Sequence, residues 1–316
     1  MKDLLRGISW WSEDGHPLRA DPADRDRLPA DTWSRALVPA GVRLEVRCRG
    51  VDRLRIRYAA SAPSPTDAYR RSAPVFTLLS GDDVAAETAA HPTDDGTAVL
   101  ELPSPDGEFT VHLPETLRPV IHAVDAGTGT VEPAPRRPRW LVHGDSIVEG
   151  WAASRPHLAW PALAGRALGV DTVNVGYAGA ARGELASAEQ LAALDADLIT
   201  VAFGTNCWAR PPHSAALLHE TVRAFLTVLR QGHPHIPLLV VSPVVRPDAD
   251  ATPNRLGATL TDLRAAVEYA AAAQDVALLP GGGLLDAAQL ADGVHPGDGG
   301  HARLAEAVVT ALRKLG

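Results

Sequence analysis

From residue 140 onward, short apolar runs alternate with amphipathic stretches, and no other feature narrows the fold as far. Residues 140–143, 172–175, 198–203, 238–242 and 276–279 read as buried strands. Helical periodicity fills about 157–168, 184–194, 214–231 and 255–273 between them, and about 300–315 after them. Strand–helix alternation of this kind implies a parallel sheet with helices on both faces and right-handed connections. In such a sheet, the loops leaving the carboxyl ends of the strands share one rim, and that rim is where these folds place ligands.

The preceding region has a different texture. Arg43-Leu-Glu-Val-Arg-Cys-Arg and Arg53-Leu-Arg-Ile-Arg-Tyr alternate with period two, and Gly50-Val-Asp separates them. This pattern predicts a β-hairpin. Further short alternating runs begin at Val75, Thr97, Glu108 and Pro119, divided by turn signals, with no helical stretch among them. The expectation is an antiparallel β-sandwich over residues 1–135, joined to an α/β domain over 136–316 by a segment that Pro133, Pro135 and Pro138 would stiffen.

Charge and cysteine content restrict the partners. The formal net charge of −8 disfavours a nucleic-acid or anionic-membrane surface. Cys48 and Cys207 lie far apart, and no Cys/His cluster supports a metal site. No apolar leader or membrane-length run is visible, so a cytoplasmic protein acting on a small molecule is the expectation.

The strand exits carry the chemistry. The first gives Gly144-Asp145-Ser146, the second leads to Gly176-Tyr-Ala-Gly179, and the third gives Gly204-Thr205-Asn206. Beyond the fifth comes Asp292-Gly-Val-His295-Pro296. Acyl transfer needs this set. A serine hydroxyl is a weak nucleophile without an adjacent base. His295 can take the proton of Ser146, and Asp292 can orient and charge-stabilise the imidazole. The N–H groups of Ser146 and Gly179 and the amide of Asn206 are candidates for an oxyanion hole. Gly176-Tyr-Ala-Gly179 lacks the spacing of a dinucleotide fingerprint, and no Gly-x-Ser-x-Gly elbow surrounds Ser146. Trp151, Tyr177, Trp208 and Arg210 fall on the same rim and are candidates for an acyl or sugar pocket. Trp10, Trp11 and Trp33 are expected to pack across the domain interface.

Gly-Asp-Ser, the glycine of Asn-x-x-x-x-Gly, Gly-x-Asn and Asp-x-x-His-Pro, in that order, resemble the four blocks of the SGNH (GDSL) hydrolase superfamily over about residues 138–316. The resemblance implies a flavodoxin-like α/β/α sandwich with Ser146 as nucleophile. It further implies Gly179 and Asn206 in the oxyanion hole, His295 and Asp292 as its catalytic partners, and no cofactor. Ile147 stands in place of the family's leucine, and Cys207 where many members carry aspartate. The leading β-region resembles the sandwich that precedes the SGNH domain in some carbohydrate esterases and natural-product acyltransferases. The expected activity is hydrolysis of a small acyl ester, first an O-acetylated sugar. Acyl transfer to an alcohol is the alternative, and a non-catalytic carbohydrate-binding protein is a second.

Overall fold

The computed structural model describes residues 1–67 and 72–315. The first region runs β1 (Leu5–Arg6), β2 (Trp10–Trp11), β3 (Pro17–Leu18), α1 (Ala30–Ala36), β4 (Arg43–Arg49), β5 (Arg53–Ala60), β6 (Val75–Ser80), β7 (Asp83–Ala89), β8 (Thr93–Glu101), β9 (Gly107–His112), β10 (Val120–Asp125) and β11 (Thr130–Pro133). It forms a six-stranded antiparallel sheet in the order β1-β4-β9-β6-β7, with β11 also on β4, facing a three-stranded sheet β10-β5-β8.

The expected hairpin does not form. β4 pairs with β1, β9 and β11, whereas β5 pairs with β8 and β10 in the opposite sheet. Period-two alternation fixes which face of a strand is buried, not which strand it pairs with. Leu44, Val46 and Cys48 of β4 and Leu54, Ile56 and Tyr58 of β5 all enter one core. The Gly50–Asp52 turn therefore carries the chain across that core and not back along one sheet. The first region also contains helix α1, where no helix was expected, and β11 occupies part of the proline-rich segment.

The second region runs β12 (Arg139–Gly144), α2 (Ser146–Glu149), α3 (Trp160–Leu168), β13 (Asp171–Gly176), α4 (Leu185–Ala193), β14 (Leu198–Ala202), α5 (Asn206–Ala209), α6 (Ala215–Gly232), β15 (Leu238–Val241), α7 (Leu260–Ala273), β16 (Ala277–Leu279) and α8 (Asp298–Leu312). Its five strands are all parallel, in the order β13-β12-β14-β15-β16. This is the 2-1-3-4-5 order of flavodoxin-like sheets. Leu141, Val175 and Ile199 face one core with residues of α4, α6 and α7. Trp140, Val142 and Leu239 face the other with residues of α3 and α8. The protein is thus a three-layer α/β/α sandwich preceded by antiparallel sheets.

The strand order reverses at β12, between β13 and β14, so the exit of β12 is the topological switch point where such sheets bind ligands. Gly144 ends that strand. A Cβ there would lie 2.1 Å from the Ala202 carbonyl oxygen of β14, so only glycine lets the strands close up beneath Ser146.

The first region is tied down on the second. Ala20, Leu28 and Ala36 are buried in the same core as the strands of the parallel sheet, and Trp33 packs against it; Trp11 stays with the sandwich core.

Candidate active site

Asp145 precedes α2, and its Oδ1 accepts the Ile147 N–H at 2.9 Å, capping the helix whose first residue is Ser146. The cap fixes the serine at the helix mouth. Burial pushes the Asp145 carboxyl up to about 6, against the N–H bonds it accepts.

Three residues from two distant turns form one hydrogen-bonded line. His295 Nε2 lies 2.8 Å from Ser146 Oγ, and its Nδ1 lies 2.8 Å from Asp292 Oδ2. A carboxylate can only accept, so the imidazole proton sits on Nδ1 and Nε2 is left as a base toward the serine hydroxyl. Asp292 Oδ1 also accepts the N–H groups of Val294 and His295, at 3.0 and 2.8 Å. Burial raises the Asp292 carboxyl, but these bonds and the imidazole outweigh it and hold the group below the usual carboxylate range. Ser146 is buried to 5% exposure, whereas the Asp292 side chain is 39% exposed.

Candidate donors follow three adjacent strands, β12, β13 and β14. Among the described residues, no protein acceptor takes the backbone N–H of Ser146 or of Gly179. Gly179 sits at φ +71°, a left-handed conformation that glycine adopts without strain. Asn206, at the start of α5, gives one Nδ2 hydrogen to the Ala181 carbonyl at 3.2 Å and keeps the other.

The four rim residues separate. Trp151 lies against His295, the two ring centroids 5.3 Å apart. Trp208 is half-buried; its Nε1 donates to the Thr252 carbonyl, and the Arg246 guanidinium covers its ring. Arg210 is exposed at the end of α5. Tyr177 is not a pocket residue. It is 1% exposed, its hydroxyl donates to the Arg19 carbonyl at 2.6 Å, and its ring meets His143 edge-on. The strand exit at Gly176 turns it inward, where it joins the core to the N-terminal segment.

Glu149 escaped the sequence reading. Its carboxylate, fully buried, is held by Arg35 of α1 and faces Arg19 at 3.4 Å. The same carboxylate accepts the Trp151 Nε1–H at 3.1 Å and the Ala178 N–H at 2.9 Å. Residues of the first region thus buttress the helix of Ser146 and the tryptophan that touches His295. The available signal was an acidic residue three positions after the serine, on a turn that had to be buried.

Cys207 is buried, and burial pushes its thiol well up, which is the behaviour of a packing residue. Among the described residues, no group of three or more His, Cys, Asp or Glu side chains is placed to hold a metal ion, and no helix is long and apolar enough to cross a membrane.

No curated protein matches the sequence. Among solved structures, a salicylyl-acyltransferase, SsfX3, from a tetracycline biosynthetic pathway superposes with a TM-score of 0.85 at 26% identity, covering 98% of this chain and 94% of that one. A putative GDSL-like lipase from Bacteroides ovatus gives 0.82 at 20% identity, covering 99% and 95%. A family two carbohydrate esterase from Clostridium thermocellum gives 0.66 at 12%, covering 87% and 92%. The last two show a shared fold extending over both regions. The GDSL-like lipase/acylhydrolase family model matches residues 142–303, just over half the chain, and spans every strand exit described above. The chain therefore belongs to the GDSL-like lipase/acylhydrolase family.

Proposed function

We propose that the protein is a serine esterase that cleaves a small acyl ester through an acyl-enzyme. The observation that carries this reading is the unbroken line Ser146–His295–Asp292, with both hydrogen bonds at 2.8 Å. Ser146 Oγ attacks the ester carbonyl carbon while its proton passes to His295 Nε2. The new C–O bond pushes the carbonyl electrons onto oxygen, where the N–H groups of Ser146 and Gly179 and the Asn206 amide are the donors in reach of the rim. The bond to the leaving alcohol then breaks, and His295 returns the proton to that alkoxide. Water repeats the sequence on the acyl-enzyme, giving its proton to His295 and releasing the acid. No cofactor enters any step.

An O-acetyl or other short acyl ester, carried on a sugar, is the proposed substrate class. The fold shared with a carbohydrate esterase supports it. One observation favours a second reading, in which an alcohol replaces water as acceptor. The chain is 26% identical to an acyltransferase over nearly its whole length. The same residues serve both, and exclusion of water from the acyl-enzyme decides between them. The test is turnover of p-nitrophenyl acetate with and without candidate alcohols, following products by mass. Free acetate alone supports hydrolysis. Acylated alcohol in excess of acetate supports transfer, and no turnover of any short ester removes both.

A further inference from the structure

A cavity of about 320 Å3 lies between the six-stranded sheet and the α3–β13 face of the parallel sheet, and neither Ser146 nor His295 lines it. Its walls come from both regions: Glu45, Thr110 and His112 on one side, Arg166, Thr172 and Asn174 on the other. Arg43, Glu45, Thr110 and His112 occupy facing positions of β4 and β9. The alternation of β4 makes this the charged face of the strand. The second region covers that face, so its polar groups are buried without being fully matched.

Several polar atoms there have no hydrogen-bond partner among the described residues. At the wall they are both ring nitrogens of His112 and Oε2 of Glu45, which has only the Arg137 guanidinium 3.9 Å away; behind the wall stands Nδ1 of His157, whose ring lies 5.9 Å from that of His112. The three residues are 2%, 3% and 5% exposed. Buried polar groups are almost always hydrogen-bonded, so a cluster of exceptions around one void marks a place for a ligand. The void far exceeds the roughly 10–15 Å3 of such volume that one water needs, and sits at the small end of ligand pockets.

We infer that this cavity binds a neutral, hydroxyl-rich molecule of monosaccharide size, with His112 and Glu45 as its central contacts. The chemistry of the wall selects this class. Burial, with Arg166 and Arg43 nearby, keeps the His112 imidazole neutral, so it offers one donor and one acceptor. The Glu45 oxygen only accepts. The guanidinium of Arg43 is already taken by Glu45 at 2.6 Å and the Thr172 carbonyl at 3.0 Å. That of Arg166 is taken by Asp82 at 3.1 Å and the carbonyl of His157 at 3.0 Å. An anion would meet the Glu45 carboxylate, and a cation would meet the guanidinium groups. Hydroxyls donate and accept, which is what the unmatched atoms require. Asp82 is exposed, so its pair with Arg166 stands on the solvent side, where a ligand would enter.

Calorimetric titration of the full chain with glucose, galactose, mannose, xylose and myo-inositol tests the inference. At least one should bind with one-to-one stoichiometry and a Kd on the order of 1 mM or tighter. Ser146→Ala should bind it equally well, because the cavity is separate from the serine. His112→Leu should weaken binding by about tenfold or more. Ala162→Phe, which fills the void from the α3 side and leaves every polar wall atom in place, should abolish it. Far-UV circular dichroism establishes that each variant is folded, and Ala162→Phe keeps the test decisive if His112→Leu is not. Absence of binding by all five compounds up to about 50 mM overturns the inference. So does binding that Ala162→Phe leaves intact, or binding lost in Ser146→Ala.

Discussion

Arg35 and Glu149 form a buried ion pair across the two regions: Arg35 Nε lies 3.2 Å from Glu149 Oε2, and its Nη2 contacts Oε1. Arg35 also reaches Asp67 at 2.7 Å. Burial alone would lower the Arg35 pKa, but the two carboxylates hold it above its ordinary value. Removing one member of a buried pair leaves an uncompensated charge in place, which typically costs roughly 3–5 kcal/mol. Arg35→Met should therefore destabilise the protein by about that amount in chemical denaturation. A loss below about 1 kcal/mol would show that Arg19 alone satisfies Glu149.

The same carboxylate holds Trp151 against His295, so the pair has a kinetic consequence. Glu149→Gln keeps the shape and one acceptor for the Trp151 Nε1–H but removes the charge that faces Arg19 and Arg35. Its kcat should fall by about tenfold or less, with a smaller change than Trp151→Ala. Equal kcat values for Trp151→Ala and wild type would mean that the ring does not position the imidazole.

Asp292 sets the tautomer of His295. A buried aspartate in this role, changed to asparagine, lowers kcat about 10^4-fold. The Asp292 side chain is 39% exposed, and water can partly replace it. Asp292→Asn should thus lower kcat by more than about tenfold but less than about 10^4-fold. In the wild type, kcat/KM should fall on the acid side as the imidazole takes up a proton. Asp292, held below the usual carboxylate range, stays ionised through that limb. A flat profile from about pH 5 to 9 contradicts the assignment of His295 as base.

The proposed oxyanion donors are separable by substitution. Asn206→Ala should lower kcat by about 10^2–10^3-fold, the usual effect of losing one such donor, with little change in KM. An effect confined to KM would place Asn206 in substrate binding instead.

The strands and most helices of the second region were legible because each needs only local periodicity, and the four turns were legible because each carries a distinctive residue type. What was missed depends on long-range pairing. The β4–β5 turn reads as a hairpin because alternation is identical whether two strands share a sheet or face each other across a core. β7 (Asp83–Ala89) is largely exposed, so its sequence lacks the buried alternating face that marks a strand. Arg35 and Glu149 lie 114 positions apart, and no spacing rule joins them. Tyr177 was read as rim because it follows a strand exit, but the partner that draws it inward, Arg19, lies 158 positions earlier.

Acid should destabilise the fold well before the carboxylates are exhausted. Burial lowers His143 and His157 to about 4 from 6.5, and holds His112 well below 6.5. In that window the unfolded chain binds protons that the folded chain refuses, so stability is present above 6.5 and is lost as pH falls toward 4. Asp145, raised from 3.8 to about 6, acts in the opposite sense over much of the same range, but it is one group against three. Denaturant melts should show stability decreasing steadily from about pH 6.5 to 4. A rise in stability over that interval would contradict the neutral, buried state of these histidines.

The proposed mechanism requires a covalent bond between Ser146 Oγ and the acyl group. Reaction with a fluorophosphonate probe, followed by peptide mass mapping, tests it most directly. One adduct per chain is expected, carried by the peptide containing Ser146 and absent in Ser146→Ala. An unlabelled wild type, or an adduct on any other residue that persists in Ser146→Ala, would contradict it.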